Sequence, residues 1–147
     1  CAPGVVQKYL NKISGPLLDR IDLHVEVTPV PFNELSKAQN SETSKDIRER
    51  VIKARLIQTE RYKISDGIYC NAQMRTKDLK NYCHLDEASN TLLKTAMERL
   101  GLSARAYDRI LKVARTIADL EASKNIKTNH IAEAIQYRSL DREGWAG

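Results

Sequence analysis

The chain has 147 residues, the length of one ordinary domain and enough to bury a hydrophobic core. Hydrophobic residues make up 41% and aromatic residues only 5%, a balance that disfavours a β-sandwich and predicts a mainly α fold. Lysine and arginine number 24 against 19 acidic residues, so an anionic partner is compatible with the charge but is not identified by it.

The first predicted elements are a short amphipathic helix over residues 3–13, one further helical turn at residues 17–20, and an alternating segment at residues 21–27. The alternating segment is typical of a β-strand, with its apolar face formed by Ile21, Leu23, Val25 and Val27. A single strand cannot form a sheet, so we expect its partners in missing sequence or in another chain.

The next segment, residues 32–44, is predicted to be a loop. A long helix from Ser44 to about Tyr62 follows, and the chain from residue 76 onward is predicted to be a helical bundle. The first two helices of the bundle are expected at residues 77–82 and 86–99.

Local signals define the last two predicted helices. Gly101 is expected to end the helix before it, and Ser103 to cap the most strongly patterned helix of the chain. Thr128 is expected to cap a final helix over residues 129–138.

The cysteines Cys1, Cys70 and Cys83 have no disulfide-framework spacing and no paired CxxC motif. We interpret them as ordinary thiols and assign no metal site. The sequence has no secretory signal and no long apolar run, which predicts a cytoplasmic protein without membrane insertion. Because the chain starts at Cys1 without an initiator methionine, we expect it to be an excised piece of a longer protein.

The sequence has no motif of a self-contained enzyme. None of its glycines fits the GxxxxGK[ST] loop that holds nucleotide phosphates, and HExxH and GxSxG motifs are absent. The chain alone is therefore not expected to hydrolyse ATP or to bind a cofactor. Arginines remain as candidates, because a planar guanidinium suits phosphate oxygens.

Arg20 is the first candidate. Between Asp19 and Asp22 it would ordinarily be an exposed arginine in a weak ion pair. The surrounding run SGPLLDRIDL, however, resembles the LLDRF stretch of magnesium chelatase ATPase subunits and the SRFD stretch of minichromosome maintenance helicases. In those families this arginine is the finger that reaches an ATP held by the neighbouring subunit. The resemblance therefore implies that Arg20 is a catalytic residue that acts in trans.

Residues 101–120 carry the second candidates. They resemble the GLSARAY…RTIADL signature of the ComM/YifB family of AAA+ ATPases and, more loosely, the sensor-2 helix of magnesium chelatases. The resemblance places the sensor-2 arginine on Arg105, in the first helical turn, where a helix favours phosphate. Arg109 lies one turn further along the same face and is a second candidate for nucleotide binding. For Arg109 and Arg115, a salt bridge or packing within the lid is the alternative.

The resemblance extends over nearly the whole chain and implies a helical AAA+ lid bundle with one residual strand from the end of the α/β ATPase core. The implied segments are the edge of the core with its arginine finger (1–31), a loop and a long insert or linker helix (32–70), a helical lid with sensor 2 (71–142), and a tail (143–147). The chain departs from the family pattern in lacking the phosphate loop, the acidic magnesium-binding motif and the amino-terminal Lon-protease-like domain.

The resemblance implies that the complete protein is an ATPase that uses ATP and Mg²⁺ in a homo-oligomeric, hexameric ring. By the same resemblance, DNA is its expected partner, and branch migration during recombination of imported strands is its expected activity. Two alternatives remain: a stand-alone basic helical module that binds DNA through the helix after Ser103, and a helical interaction domain without nucleotide chemistry.

Overall fold

A computed structural model describes residues 42–138 without a gap and, before them, residues 8, 12, 14–18, 20–25, 27 and 29–32. Most of the predicted opening helix and the tail beyond residue 138 lie outside the described residues. In chain order the described elements are α1 (Gly15–Leu18), α2 (Ser44–Arg61), a 3₁₀ turn (Asn71–Gln73), α3 (Thr76–Tyr82), α4 (Glu87–Arg99), α5 (Ala104–Leu120) and α6 (Thr128–Gln136). The expected mainly α fold is confirmed.

Local capping signals set the junction between α4 and α5 as predicted. Gly101 adopts a left-handed backbone with φ of 60°, which ends α4. The Ser103 side chain accepts a hydrogen bond from the Ala106 N–H at 3.2 Å and so caps α5.

The start of α6 differs from the prediction by one residue. Lys127, not Thr128, is the capping position, and its N–H donates to Nδ1 of the His130 ring at 2.9 Å. The Thr128 hydroxyl instead lies 3.2 Å from the Ser89 hydroxyl of α4. The expectation of a Thr128 cap is therefore wrong, because an imidazole three residues after Lys127 occupies the capping role.

Helix α5 lies at the centre of the bundle. It contacts α2, the 3₁₀ turn, α3 and α6, and α4 packs against α6. The core consists of buried apolar side chains from α3 to α6 and from the segments between the elements: Tyr62, Ile68, Met74, Leu79, Cys83, Leu93, Ile110, Leu111, Ala114, Ile117, Ala118, Ile126, Ile131 and Ala134.

Helix α2 is only partly covered by the described residues. Its buried side chains are Ala54 and Gln58, whereas Ile47 and Val51 are each 42% exposed. The face of α2 that carries Ile47, Val51 and Ala54 is therefore buried only from Ala54 onward, since the described neighbours of α2 cover its carboxyl-terminal half. No helix in the described part of the chain combines the length and hydropathy that a membrane span requires.

The alternating segment differs from its prediction. Its described residues, 21–25 and 27, form no strand, and the apolar Leu23 and Val25 are 48% and 66% exposed. The polar His24 is the buried one, at 5% exposure. These described residues form no strand because no described segment lies alongside to form a β ladder with them. Pairing with a partner in missing sequence or in another chain stays a prediction.

The alternating segment instead docks on the end of α6. The backbone N–H of His24 donates to the carbonyl of Tyr137 at 2.8 Å. The Arg138 guanidinium, which is fully buried, donates to the carbonyl of Ile21. These contacts fix the position of the residues that follow Arg20.

Candidate functional site

Arg20 lies two residues beyond α1 and is exposed. Its Nη1 donates to the carbonyl of Pro16, four residues earlier, at 2.9 Å. The side chain therefore folds back over the turn while remaining in contact with solvent.

Arg105 is in the first turn of α5 and is exposed. Within the described ranges, no ion pair or side-chain hydrogen bond involves it. The first N–H groups of a helix lack acceptors within the helix, and together with the macrodipole they favour an anion at this end. The position thus combines an available guanidinium with a helix terminus that attracts phosphate.

Arg109, one turn after Arg105, forms an ion pair with Asp22. The Arg109 side chain is 27% exposed and that of Asp22 is 52% exposed. The pair joins the second turn of α5 to a residue two positions after Arg20. It therefore holds the segment that carries Arg20 at the same end of the bundle as Arg105. The salt bridge was the alternative to ligand contact for Arg109, and nucleotide binding by this residue stays a prediction.

A buried polar network underlies α5 at its other end. Both carboxylate oxygens of Asp119 accept hydrogen bonds from the Arg61 guanidinium, at 2.6 and 2.5 Å. Arg115 approaches the same carboxylate at 3.2 Å, and Nδ2 of Asn71 donates to it at 2.8 Å. Asp119 has no exposed side-chain surface and Arg115 is only 3% exposed, so Arg115 acts in packing.

Arg115, which is buried, and Arg61, whose side chain is 14% exposed, share the carboxylate of Asp119, and their pKa values reflect this. For Arg61, burial alone would lower the pKa, but the hydrogen bonds and charge of Asp119 outweigh burial and raise it. For Arg115, burial dominates and lowers the pKa, and the nearby charge of Arg61 adds to that effect. Asp119 therefore pairs primarily with Arg61.

Arg115 also binds the turn that follows α5. Its Nη1 and Nη2 donate to the carbonyls of Lys124 and Ser123, at 3.0 and 2.6 Å. Sequence patterns did not identify this network. The sequence does carry a signal for a buried ion pair. Arg61 lies on the same face of α2 as Ala54, and Asp119 follows Arg115 by four residues.

The described residues contain no group of three or more His, Cys, Asp or Glu side chains that could hold a metal ion. We therefore assign no Mg²⁺ ligand to this part of the chain. An apolar cavity of about 290 Å³ lies between Leu23, α5 and α6, beside Asp22.

Comparisons with known proteins agree with the resemblance. The family described as "Magnesium chelatase, subunit ChlI C-terminal" matches residues 41–138, and the family "Magnesium chelatase, subunit ChlI" matches residues 1–35. "Competence protein ComM" of Haemophilus influenzae is 44% identical over 142 residues, which is 96% of this chain. "Uncharacterized protein YifB" of Salmonella typhimurium is 41% identical over 143 residues, or 97% of this chain.

The chain spans 27% of the length of each of these two relatives. The match nevertheless runs through both arginine-bearing segments, α1 to residue 25 and the start of α5. The chain therefore belongs to the magnesium-chelatase-like family that includes ComM and YifB.

Proposed function

We propose that the chain is the carboxy-terminal part of an AAA+ ATPase whose subunits form a hexameric ring, and that it completes and senses the ATP sites of that ring. The observation that carries the proposal is the ion pair between Arg109 and Asp22. It holds exposed Arg20 at the same end of the bundle as exposed Arg105 at the start of α5.

In this proposal Arg20 is the arginine finger. During phosphoryl transfer, negative charge develops on the γ-phosphate oxygens, and a guanidinium placed there contributes about a thousandfold or more in rate. The exposure of Arg20 supports this role, because its guanidinium is available to a neighbouring subunit.

Arg105 is the proposed sensor of the γ-phosphate. Its exposed side chain and the adjacent helix terminus both favour phosphate. Since Asp22 already neutralises the Arg109 charge, we assign Arg109 a positioning role. It keeps the segment of residues 20–25, the finger segment, next to α5, so that Arg20 and Arg105 contact the same triphosphate.

In the complete protein, ATP would bind with Mg²⁺, and hydrolysis would drive branch migration on DNA. The Haemophilus influenzae relative is a competence protein, which supports a role in processing imported DNA. The excess of basic residues is compatible with a nucleic-acid partner.

Arg105→Ala in the complete protein tests the sensor assignment. We expect ATP turnover to fall by roughly a hundredfold, because one preorganised donor to the reacting phosphate is lost. Arg99→Ala is the matched control, since Arg99 is an exposed arginine at the end of α4. Unchanged turnover in Arg105→Ala would remove Arg105 from the proposed site.

A further inference from the structure

A groove of about 470 Å³ with both apolar and basic residues on its wall lies at the opposite end of α5 from Arg105. Its walls are the carboxyl-terminal half of α2, the end of α3 and the turn that follows α5. Arg115, the residue of α5 on the groove wall, follows Arg105 by ten positions, or about 15 Å along the helix axis. The groove is therefore distinct from the proposed nucleotide site.

All residues with a permanent charge on the groove wall are cations: Arg61, Arg115 and Lys124. Beneath them lies the carboxylate of Asp119, which has no exposed side-chain surface and pairs with both arginines. Two guanidiniums against one carboxylate leave an excess positive charge under the floor of the groove. Lys124, which is exposed, adds a further positive charge at the rim.

The hydrogen-bonding groups of the groove point to an anionic ligand. Asn81, His84 and Asn125 line its mouth and are exposed. Beneath them, Nε of Arg115 is buried and has no hydrogen-bond partner among the described residues. Residues with amide, imidazole and ammonium groups thus line a groove whose floor carries net positive charge, and no acidic residue is among its lining residues.

We propose that this groove binds the phosphate group of an organic phosphate ester. Phosphate carries more negative charge and more acceptor oxygens than a single carboxylate, and so it is attracted more strongly to a site with net positive charge. The groove is larger than a bare phosphate ion requires, and Ile57, Ile126 and the half-buried Tyr82 provide an apolar wall for the organic part. The same chemistry is offered by a small phosphate ester and by a phosphodiester of a DNA strand.

Backbone amide chemical shifts of the 147-residue chain test the proposal in a titration with ribose 5-phosphate. We expect saturable shifts confined to residues 81–84 and 122–126, with a dissociation constant of about 1 mM or tighter. Ribose without phosphate is the control for the organic part and should cause no saturable shift. A parallel titration with a short DNA strand that lacks terminal phosphates distinguishes the two sources, because only phosphodiesters are present there.

Lys124→Glu supplies the matched variant. Because only the carbonyl of Lys124 serves the fold, by accepting from Arg115, the substitution should leave the fold intact. We expect it to weaken binding of whichever phosphate source binds by about tenfold or more, since an attraction becomes a repulsion. Lys53→Glu on the exposed half of α2 makes the same charge change away from the groove and should leave binding unchanged.

The proposal is overturned if neither phosphate source produces saturable shifts at the groove, or if Lys124→Glu and Lys53→Glu weaken binding equally. It makes no use of ATP hydrolysis, so loss of the proposed function would leave this test unaffected.

Discussion

Both carboxylate oxygens of Asp119 accept hydrogen bonds from the guanidinium of Arg61, which lies 58 positions earlier in the chain. This contact fastens α2 to α5, and Arg115 and Asn71 converge on the same carboxylate. The network thereby joins the central helix to α2 and to the 3₁₀ turn, whose residues Arg61 and Asn71 lie 58 and 48 positions before Asp119.

Asp119→Asn is predicted to destabilise the fold by about 3–5 kcal/mol, because it leaves two buried guanidiniums without a counter-charge. Urea unfolding of the chain measures this difference. Glu60→Gln is the control, since Glu60 is 78% exposed and only 3.7 Å from Lys63, and it should cost under about 1 kcal/mol. An Asp119→Asn penalty as small as that of Glu60→Gln would show that the network does not hold α2 on α5.

The left-handed residues at the helix ends give a second prediction. A Cβ built on Gly101 meets no atom within 4 Å, so the cost of Gly101→Ala arises from the backbone alone and should be about 1 kcal/mol. Ala122, just after α5, has φ of 54°, and Ala122→Gly should therefore stabilise the fold by a similar amount. Thermal unfolding of both variants measures these effects. The unfolding temperature should fall in Gly101→Ala and rise in Ala122→Gly, and a change of the same sign in both would contradict the prediction.

Burial raises the pKa of the Cys83 thiol to about 12, from an ordinary value of 9.0, and that of the Tyr62 phenol to about 12, from 10.0. At pH values between the ordinary pKa of each group and its raised pKa in the folded chain, the unfolded chain loses protons that the folded chain keeps. The unfolded state then binds fewer protons, so the free energy of unfolding falls as pH rises from about 9 towards 12.

Cys83→Ala and Tyr62→Phe should each make this alkaline loss of stability shallower, as measured by denaturant unfolding at a series of pH values. For Cys83→Ala the change should begin nearest to pH 9, the lower of the two ordinary values. If the free energy of unfolding of these variants fell with pH as steeply as that of the unsubstituted chain, the raised pKa values of Cys83 and Tyr62 would be contradicted.

The ion pair between Arg109 and Asp22 gives a fourth prediction. Since Asp22 is 52% exposed, a double-mutant cycle with Asp22→Asn and Arg109→Gln should give a coupling energy of under about 1 kcal/mol. Either substitution should nevertheless speed hydrogen exchange at residues 20–25, because the segment loses a tether to α5.

Lys94→Gln is the control for this experiment, since it breaks the exposed 3.9 Å pair with Glu98 on α4. Exchange at residues 20–25 should not respond to it. Equal exchange in all three variants would mean that Arg109 does not position the finger segment.

The elements that local sequence determines were predicted well. Gly101 and Ser103 set the junction of α4 and α5 because a left-handed backbone and a side-chain cap are properties of adjacent residues. The α6 cap was wrong by one position because His130 competes for it.

Features that depend on distant residues were not predicted. Alternation at residues 21–27 suggested a strand, but a strand needs a neighbour, and no described residue provides one. The pairing of Arg109 with Asp22 spans 87 positions, and no periodic pattern indicates it. The candidate roles of Arg20 and Arg105 came from resemblance. Both side chains are exposed, as such roles require, and the roles themselves stay predictions.

The central claim is that Arg20 acts on an ATP held by the neighbouring subunit, and mixed rings of the complete protein test it most directly. Arg20→Ala subunits should assemble normally and lose about a thousandfold of ATP turnover. Mixing them with subunits mutated in the phosphate loop should restore part of the turnover, because some hybrid interfaces pair an intact loop with an intact finger. Full turnover by Arg20→Ala alone, or a mixture no more active than its two components, would contradict the claim.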